Sequence, residues 1–240
     1  SHELRTPVAT ALAALESSLD HWDELPPECS RTGGFCATAQ EHTGAPGAPE
    51  QTLRKDLQVA RHEVEQLQKL IEDLFTLSKA EISRLDLNMA PVDLAPIIER
   101  AAGAVIRLAW NSHRVRVTAE LPEPLPLVLA DATRVEQVLA NLLNNGIRHT
   151  PPGGFVVVSA ALDGAMVRVS VADSGEGISA EDLPHIWERF YRGKSSASEA
   201  RTGLGLAIVA ELVQSMGGRV AMESEPDLGS TFSFWLGAAR

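Results

Sequence analysis

The chain has 240 residues, 44% of them hydrophobic, which is enough to bury a sizeable core and too apolar for wholesale disorder. Twenty-one basic residues against 32 acidic ones leave a net charge of −11, which argues against general nucleic-acid binding and against docking on anionic lipid. No run of about 18 apolar residues occurs, so no segment reads as membrane-spanning. No signal peptide is visible, and Cys29 and Cys36 alone make no disulfide framework.

Ser1-His2 opens inside an amphipathic pattern, which reads as a piece of a longer protein with membrane or sensor segments upstream. Leu4, Val8, Leu12, Leu15, Leu19 and Trp22 recur at spacings of three and four, one apolar face of a helix. Residues 23–51 lose all period and carry repeated Pro and Gly, a long loop. Leu53, Leu57, Ala60, Val64, Leu67, Ile71, Leu74 and Ser78 then alternate steps of four and three, a heptad seam with charges on the other faces. Two such helices bury little alone, and a hairpin that dimerises into a four-helix bundle would cover both seams.

Composition changes near Leu87. Residues 94–109 read as a helix, Val115 to Val117 as a strand, and 131–148 as a helix with Asp131 as N-cap. Phe155–Ala161 and Val167–Val171 read as strands joined by a hairpin at Asp163-Gly164. Helices are expected over 180–189 and 204–216, and strands over Arg219–Glu223 and Thr231–Leu236. In the last strand Phe232, Phe234 and Leu236 share a face opposite Thr231 and Ser233. The irregular mixture of hairpins and helices predicts an α+β sandwich rather than strict βαβ winding. The boundary expectation is a helical domain over 1–84 and a mixed domain over 88–240.

Chemistry-bearing residues fall into a few clusters. His2 lies off the apolar face beside Glu3, with Thr6 one turn on and Pro7 bending the helix. A neutral imidazole is a nucleophile and Glu3 could hold its proton, although a solvated surface histidine fits the same residues. Asn141 and Asn145 stand four apart on one helix face, where amide oxygens suit Mg²⁺, and Arg148 could reach a phosphate. Ordinary capping by asparagine is the alternative. Asp173, Gly175, Gly177 and Ile178 follow a strand, where the glycines permit close backbone approach to a flat ligand and the aspartate could accept from an amino group. The same stretch matches G-x-G-x-x-A through Ala180, but no second parallel strand follows, so a dinucleotide fingerprint is rejected. No Walker A sequence is present. Thr202, Gly203, Leu204, Gly205 and Leu206 precede an apolar helix, whose N-terminus could receive phosphate. Between the glycine segments, Trp187 to Tyr191 followed by a small polar run reads as a lid, with Arg189, Arg192 and Lys194 in reach of phosphates or simply solvated. Cys29, Cys36 and His42 match no recognised zinc spacing.

In order and spacing these clusters resemble the sensor histidine kinases of two-component signalling over nearly the whole chain. Ser1 to Pro7 resembles the phosphoacceptor box, Asn141 to Thr150 the N box, and Asp173 to Ile178 the first glycine box. Trp187 to Tyr191 resembles the F box, Gly203 to Leu206 the second glycine box, and Gly229 to Phe232 the closing strand. The resemblance implies a dimeric helical hairpin followed by a two-layer α+β sandwich of the histidine kinase and gyrase ATPase class. It further implies an ATP-dependent autokinase that phosphorylates His2 and passes the group to an aspartate of a response-regulator receiver domain. Glu3 would assist the proton, and Thr6 would position water when the partner is dephosphorylated. Asn141 and Asn145 would hold Mg²⁺, Asp173 would take the adenine amine, and Gly175, Gly177, Gly203 and Gly205 would shape the pocket. Arg148, His149, Ile178, Phe190, Arg192, Thr202, Leu204 and Leu206 complete the expected nucleotide contacts. Such a chain would be the cytoplasmic portion of a protein anchored in the bacterial membrane.

The sequence departs from the family at Gly146, where alanine is usual, at His149, where an aromatic is common, and in the length of the 23–51 loop. Two rival classes share the nucleotide fold. A gyrase- or chaperone-type hydrolase carries, by family resemblance, a glutamate base at the place of Asn141, and a carboxamide cannot take that proton. A nucleotide-sensing module without kinase activity would need a lost ligand, and all the main ones are present.

Overall fold

The computed structural model describes residues 10, 13, 55–61, 64, 67, 71, 86–121, 124–191 and 203–239. The chain divides into two compact units, Ser1–Glu72 and Asp73–Arg240. In the first unit Thr10, Ala13, residues 55–61, Val64, Leu67 and Ile71 are helical, and the expected 23–51 loop lies outside the described residues. Ala60 is buried, whereas Leu57, Val64 and Ile71, seven residues apart, remain 49%, 53% and 46% exposed. The exposed row is apolar surface on a heptad seam, which a further helix would cover.

The second unit contains strand β1 (Ala90–Val92), helix α1 (Leu94–Leu108), strands β2 (Arg116–Glu120) and β3 (Val128–Ala130), and helix α2 (Ala132–His149). Strands β4 (Phe155–Asp163) and β5 (Met166–Asp173), helix α3 (Gly205–Ser215), and strands β6 (Arg219–Glu225) and β7 (Gly229–Gly237) follow. Five strands form one sheet in the order β2-β4-β5-β7-β6. Only β2 runs parallel to its neighbour, pairing Arg116 with Phe155, and the other pairs are antiparallel. The helices cover the sheet face carrying Val156, Val158, Val169, Val171, Phe232, Phe234 and Leu236, all buried. Each such side chain contributes roughly 1.5–3 kcal/mol of burial free energy.

Local sequence explains the helix limits. Asp93 caps α1 through the Ala95 amide. Leu94, Ile97, Ile98 and Ala102 face inward along it, and it ends in a π-turn closed at Arg114 with φ 56°. Asp131 caps α2 twice, accepting from the Thr133 and Arg134 amides with one oxygen, while its other oxygen takes the Asn88 amide at 3.0 Å. The buried row Val135, Val138, Leu139, Leu142, Leu143, Gly146 and Ile147 holds α2 on the sheet.

Three features depart from expectation. Residues 180–189 are a string of turns, not a helix: Pro184 has no amide to continue the ladder, and the Ser179 hydroxyl and Asp182 carboxylate bind each other at 2.9 Å. The short pair β1–β3 was not expected, since three residues are too few to display alternation. Trp235 lies on the outer face of β7 yet is buried, because Arg219 stacks 3.6 Å from its ring centroid and its indole donates to Asp163.

Candidate functional site

Asn141 lies in the middle of α2, and its carboxamide nitrogen is buried with no hydrogen-bond partner among the described residues. A buried polar group left this way is costly unless a ligand completes it. The first atom a Cβ on Gly205 would meet is the Asn141 Oδ1, at 3.8 Å. The carboxamide thus sits beside the start of α3, where the positive end of the helix dipole favours an anion. Leu204, just before that helix, carries no side-chain acceptor with which to cap it. Asn145 is four residues further along the same face of α2, and Arg148, beyond it, is exposed with no ion-pair partner among the described residues. No cluster of three or more His, Cys, Asp or Glu fit for a metal occurs among the described residues. A hard cation at this place would therefore rest on the two carboxamide oxygens, phosphate oxygens and water, a donor set that fits Mg²⁺.

Asp173 ends β5 and is 7% exposed. Burial pushes its carboxyl above the ordinary value, against the lowering effect of backbone amide donors at Gly175 and Ser230. The Gly175 amide reaches its Oδ1 at 2.9 Å. Glycine is required in the following loop for space and for backbone angle. A Cβ at Gly175 would come within 2.6 Å of both the Asp173 Oδ1 and the His149 carbonyl. Gly177 has φ 68°, and its Cβ would fall 2.1 Å from the Glu225 carbonyl. Gly146 packs directly under this region, its missing methyl 3.3 Å from Val156 and 3.5 Å from the Asp173 Cβ. The His149 Nδ1 lies 2.6 Å from Glu176 Oε1, so the histidine at the end of α2 is tied to the glycine loop.

The turn segment after this loop is anchored at both ends. Trp187 meets Phe232 edge-on, with ring centroids 6.0 Å apart. The Tyr191 hydroxyl donates to Asp182 at 2.7 Å, and that bond raises its phenol above the usual value. The Phe190 amide donates to the Gly203 carbonyl at 3.0 Å, which brings the end of the turn segment against the residues that lead into α3. Phe190 itself is 47% exposed.

The structure brings Asn141 beside Gly205, His149 beside Gly175, Asp173 beside Gly175, and Phe190 against Gly203, while Asn145, Arg148, Gly177, Ile178, Leu204 and Leu206 lie on α2, in the loop after β5 and at the start of α3. His2, Glu3, Thr6, Arg192 and Thr202 lie outside the described residues. The turn between β6 and β7 was missed as part of the site, since its residues carry no motif signal of their own.

Residues 1–82 match the His Kinase A (phospho-acceptor) domain, and residues 130–240 match the family of histidine kinase-, DNA gyrase B- and HSP90-like ATPases. The signal transduction histidine-protein kinase BaeS of Escherichia coli K12 is 34% identical over 242 residues, covering all of this chain and 46% of BaeS. The chain thus spans about half the length of the curated relatives it matches. Among solved structures, the Acinetobacter baumannii histidine kinase AdeS aligns at TM-score 0.70 and 25% identity over 100% of this chain and 99% of that one. Full-length ShkA in complex with AMPPNP aligns at TM-score 0.67 and 25% identity over 97% of this chain and 46% of ShkA. With the phosphoacceptor module preceding the ATPase module, and with Asn141, Asp173 and the two glycine loops converging as described, the chain belongs to the sensor histidine kinases of two-component signalling.

Proposed function

We propose that the chain is the autokinase core of its protein: ATP phosphorylates His2, and the phosphoryl group passes to an aspartate on a response-regulator receiver domain, which the same core also dephosphorylates. The observation that carries this reading is the buried Asn141 carboxamide, whose nitrogen has no hydrogen-bond partner among the described residues and whose oxygen lies beside the start of α3. Bound ATP with Mg²⁺ supplies the transferable phosphoryl group and the charge neutralisation it needs. Asp173 accepts the adenine amine, while Gly175 and Gly177 let the backbone approach the ring. Asn141 and Asn145 hold the cation, and Arg148 and Arg192 contact phosphate. Gly203 and Gly205 bring the α3 start close to the phosphates, with Thr202, Leu204 and Leu206 forming its entry. His149, Ile178 and Phe190 flank the pocket. The neutral imidazole of His2 is the nucleophile, Glu3 holds its proton, and Thr6 positions water in the reverse, phosphatase direction. Catalysis of this kind rests on positioning and charge.

Asn141 also separates this reading from a hydrolase, since its carboxamide cannot activate water by accepting a proton. The phosphoacceptor and dimerisation module is assigned to 1–84 and the catalytic module to 88–240. The exposed row Leu57, Val64 and Ile71 supports a homodimer. No helix among the described residues is long and apolar enough to cross a membrane, and the assignment is to the cytoplasmic portion of a membrane-anchored sensor. The test is incubation with Mg²⁺ and γ-labelled ATP beside a His2→Gln variant. Acid-labile, alkali-stable label that vanishes in the variant is expected. Label that persists in the variant would overturn His2 as acceptor.

A further inference from the structure

The β6–β7 turn is stitched onto the glycine loop, and one hydroxyl makes the central stitch. The Ile178 amide donates to the Ser224 Oγ at 2.8 Å. Ser224 in turn donates to the Gly229 carbonyl at 2.9 Å, with the Ser230 hydroxyl 3.0 Å away. Around it the two segments are in backbone contact. The Asp227 amide donates to the Glu176 carbonyl at 2.9 Å, and Asp227 adopts φ 65° to do so. A Cβ at Gly177 would strike the Glu225 carbonyl, and one at Gly229 would lie 2.0 Å from the Asp173 carbonyl. Ser224 thus touches both the loop that follows Asp173 and the glycine pressed against Asp173 itself.

We infer that Ser224 is a positioning residue for base selection: it fixes the Asp173–Ile178 loop against the β6–β7 turn, so that Asp173 meets the base edge at one place. This rests on the nucleotide reading above. Adenine presents an amino group at its six-position and guanine a carbonyl, so a fixed carboxylate acceptor favours the first and repels the second. A carboxylate free to shift loses part of that discrimination.

The test compares ATP, GTP and inorganic triphosphate binding by calorimetry, with Mg²⁺, in the 240-residue chain and in Ser224→Ala and Ser224→Thr. Removing a hydrogen bond of ordinary worth changes affinity by about two- to tenfold. Ser224→Ala is expected to weaken ATP by that factor, to lower the ATP-over-GTP ratio, and to leave triphosphate affinity unchanged. Ser224→Thr, which keeps the hydroxyl, is expected to restore the ratio. Hydrogen exchange gives a second readout should Ser224→Ala be poorly stable: the Ile178 amide should exchange faster while Val169, in the middle of β5, stays protected. An unchanged ATP-over-GTP ratio in Ser224→Ala, or a parallel loss of triphosphate binding, would overturn the positioning role alone. Failure of the unsubstituted chain to bind ATP would overturn the nucleotide reading and this role with it.

Discussion

Asp173 holds a carboxylate in a place where desolvation works against ionisation, and its raised pKa records the imbalance. The raised value means that the stability this residue contributes is present below the ordinary carboxylate value of 3.8 and is lost as pH climbs through the folded-state value. At neutral pH the charge therefore opposes folding. Asp173→Asn should leave the melting temperature at pH 7 unchanged or higher, and the gap to the parent should close in acid below 3.8. The same change should weaken ATP binding by roughly ten- to a hundredfold, the worth of a charged hydrogen bond. Scanning calorimetry across pH checks the first part, and a lower melting temperature at pH 7 would sink it. Asp173 was legible in the sequence because a strand end, an aspartate and two glycines in five residues leave few other uses. Ser224 was not, because a serine on a strand gives no signal and its partner amide is 46 residues away.

Among the elements, α2 matters most, since it carries Asn141, Asn145, Arg148 and His149 from one end to the sheet. Its start depends on Asp131, which is 7% exposed and binds three backbone amides. Asp131→Ala should lower stability by about 1–2 kcal/mol in urea titration, with Asp131→Asn recovering much of it. Because the cap lies more than two turns from Asn141, ATP affinity of the folded protein should change little. An ATP affinity that fell with stability would mean the cap also sets the Asn141 position. The helices α1, α2 and α3 and the long strands were legible because each has a buried face with a clear period. The helix expected over 180–189 is instead a run of turns, because Pro184 supplies no amide and Ser179 and Asp182 bind each other. The parallel placement of β2 beside β4 has no local signal, since it depends on the crossover through α2.

At the scale of the molecule, the half-exposed row Leu57, Val64 and Ile71 leaves apolar surface that a second copy would cover. Replacing Leu57 and Val64 by glutamate should shift the chain from dimer to monomer in analytical sedimentation while ATP binding persists. A parent chain already monomeric at micromolar concentration would defeat that expectation. The two-unit order was readable from the change of pattern near Leu87, whereas the pairing of copies rests on a seam whose partner no sequence names. The hydrogen bond from Phe190 to Gly203 also bears on tolerance to insertion. It holds Phe190 against Gly203, so residues added between these two positions need strain neither the sheet nor α3. Loop entropy grows only logarithmically, about 0.6 kcal/mol for each doubling of length. Residues inserted between Phe190 and Gly203 should therefore cost little stability and leave that hydrogen bond, and the start of α3, in register.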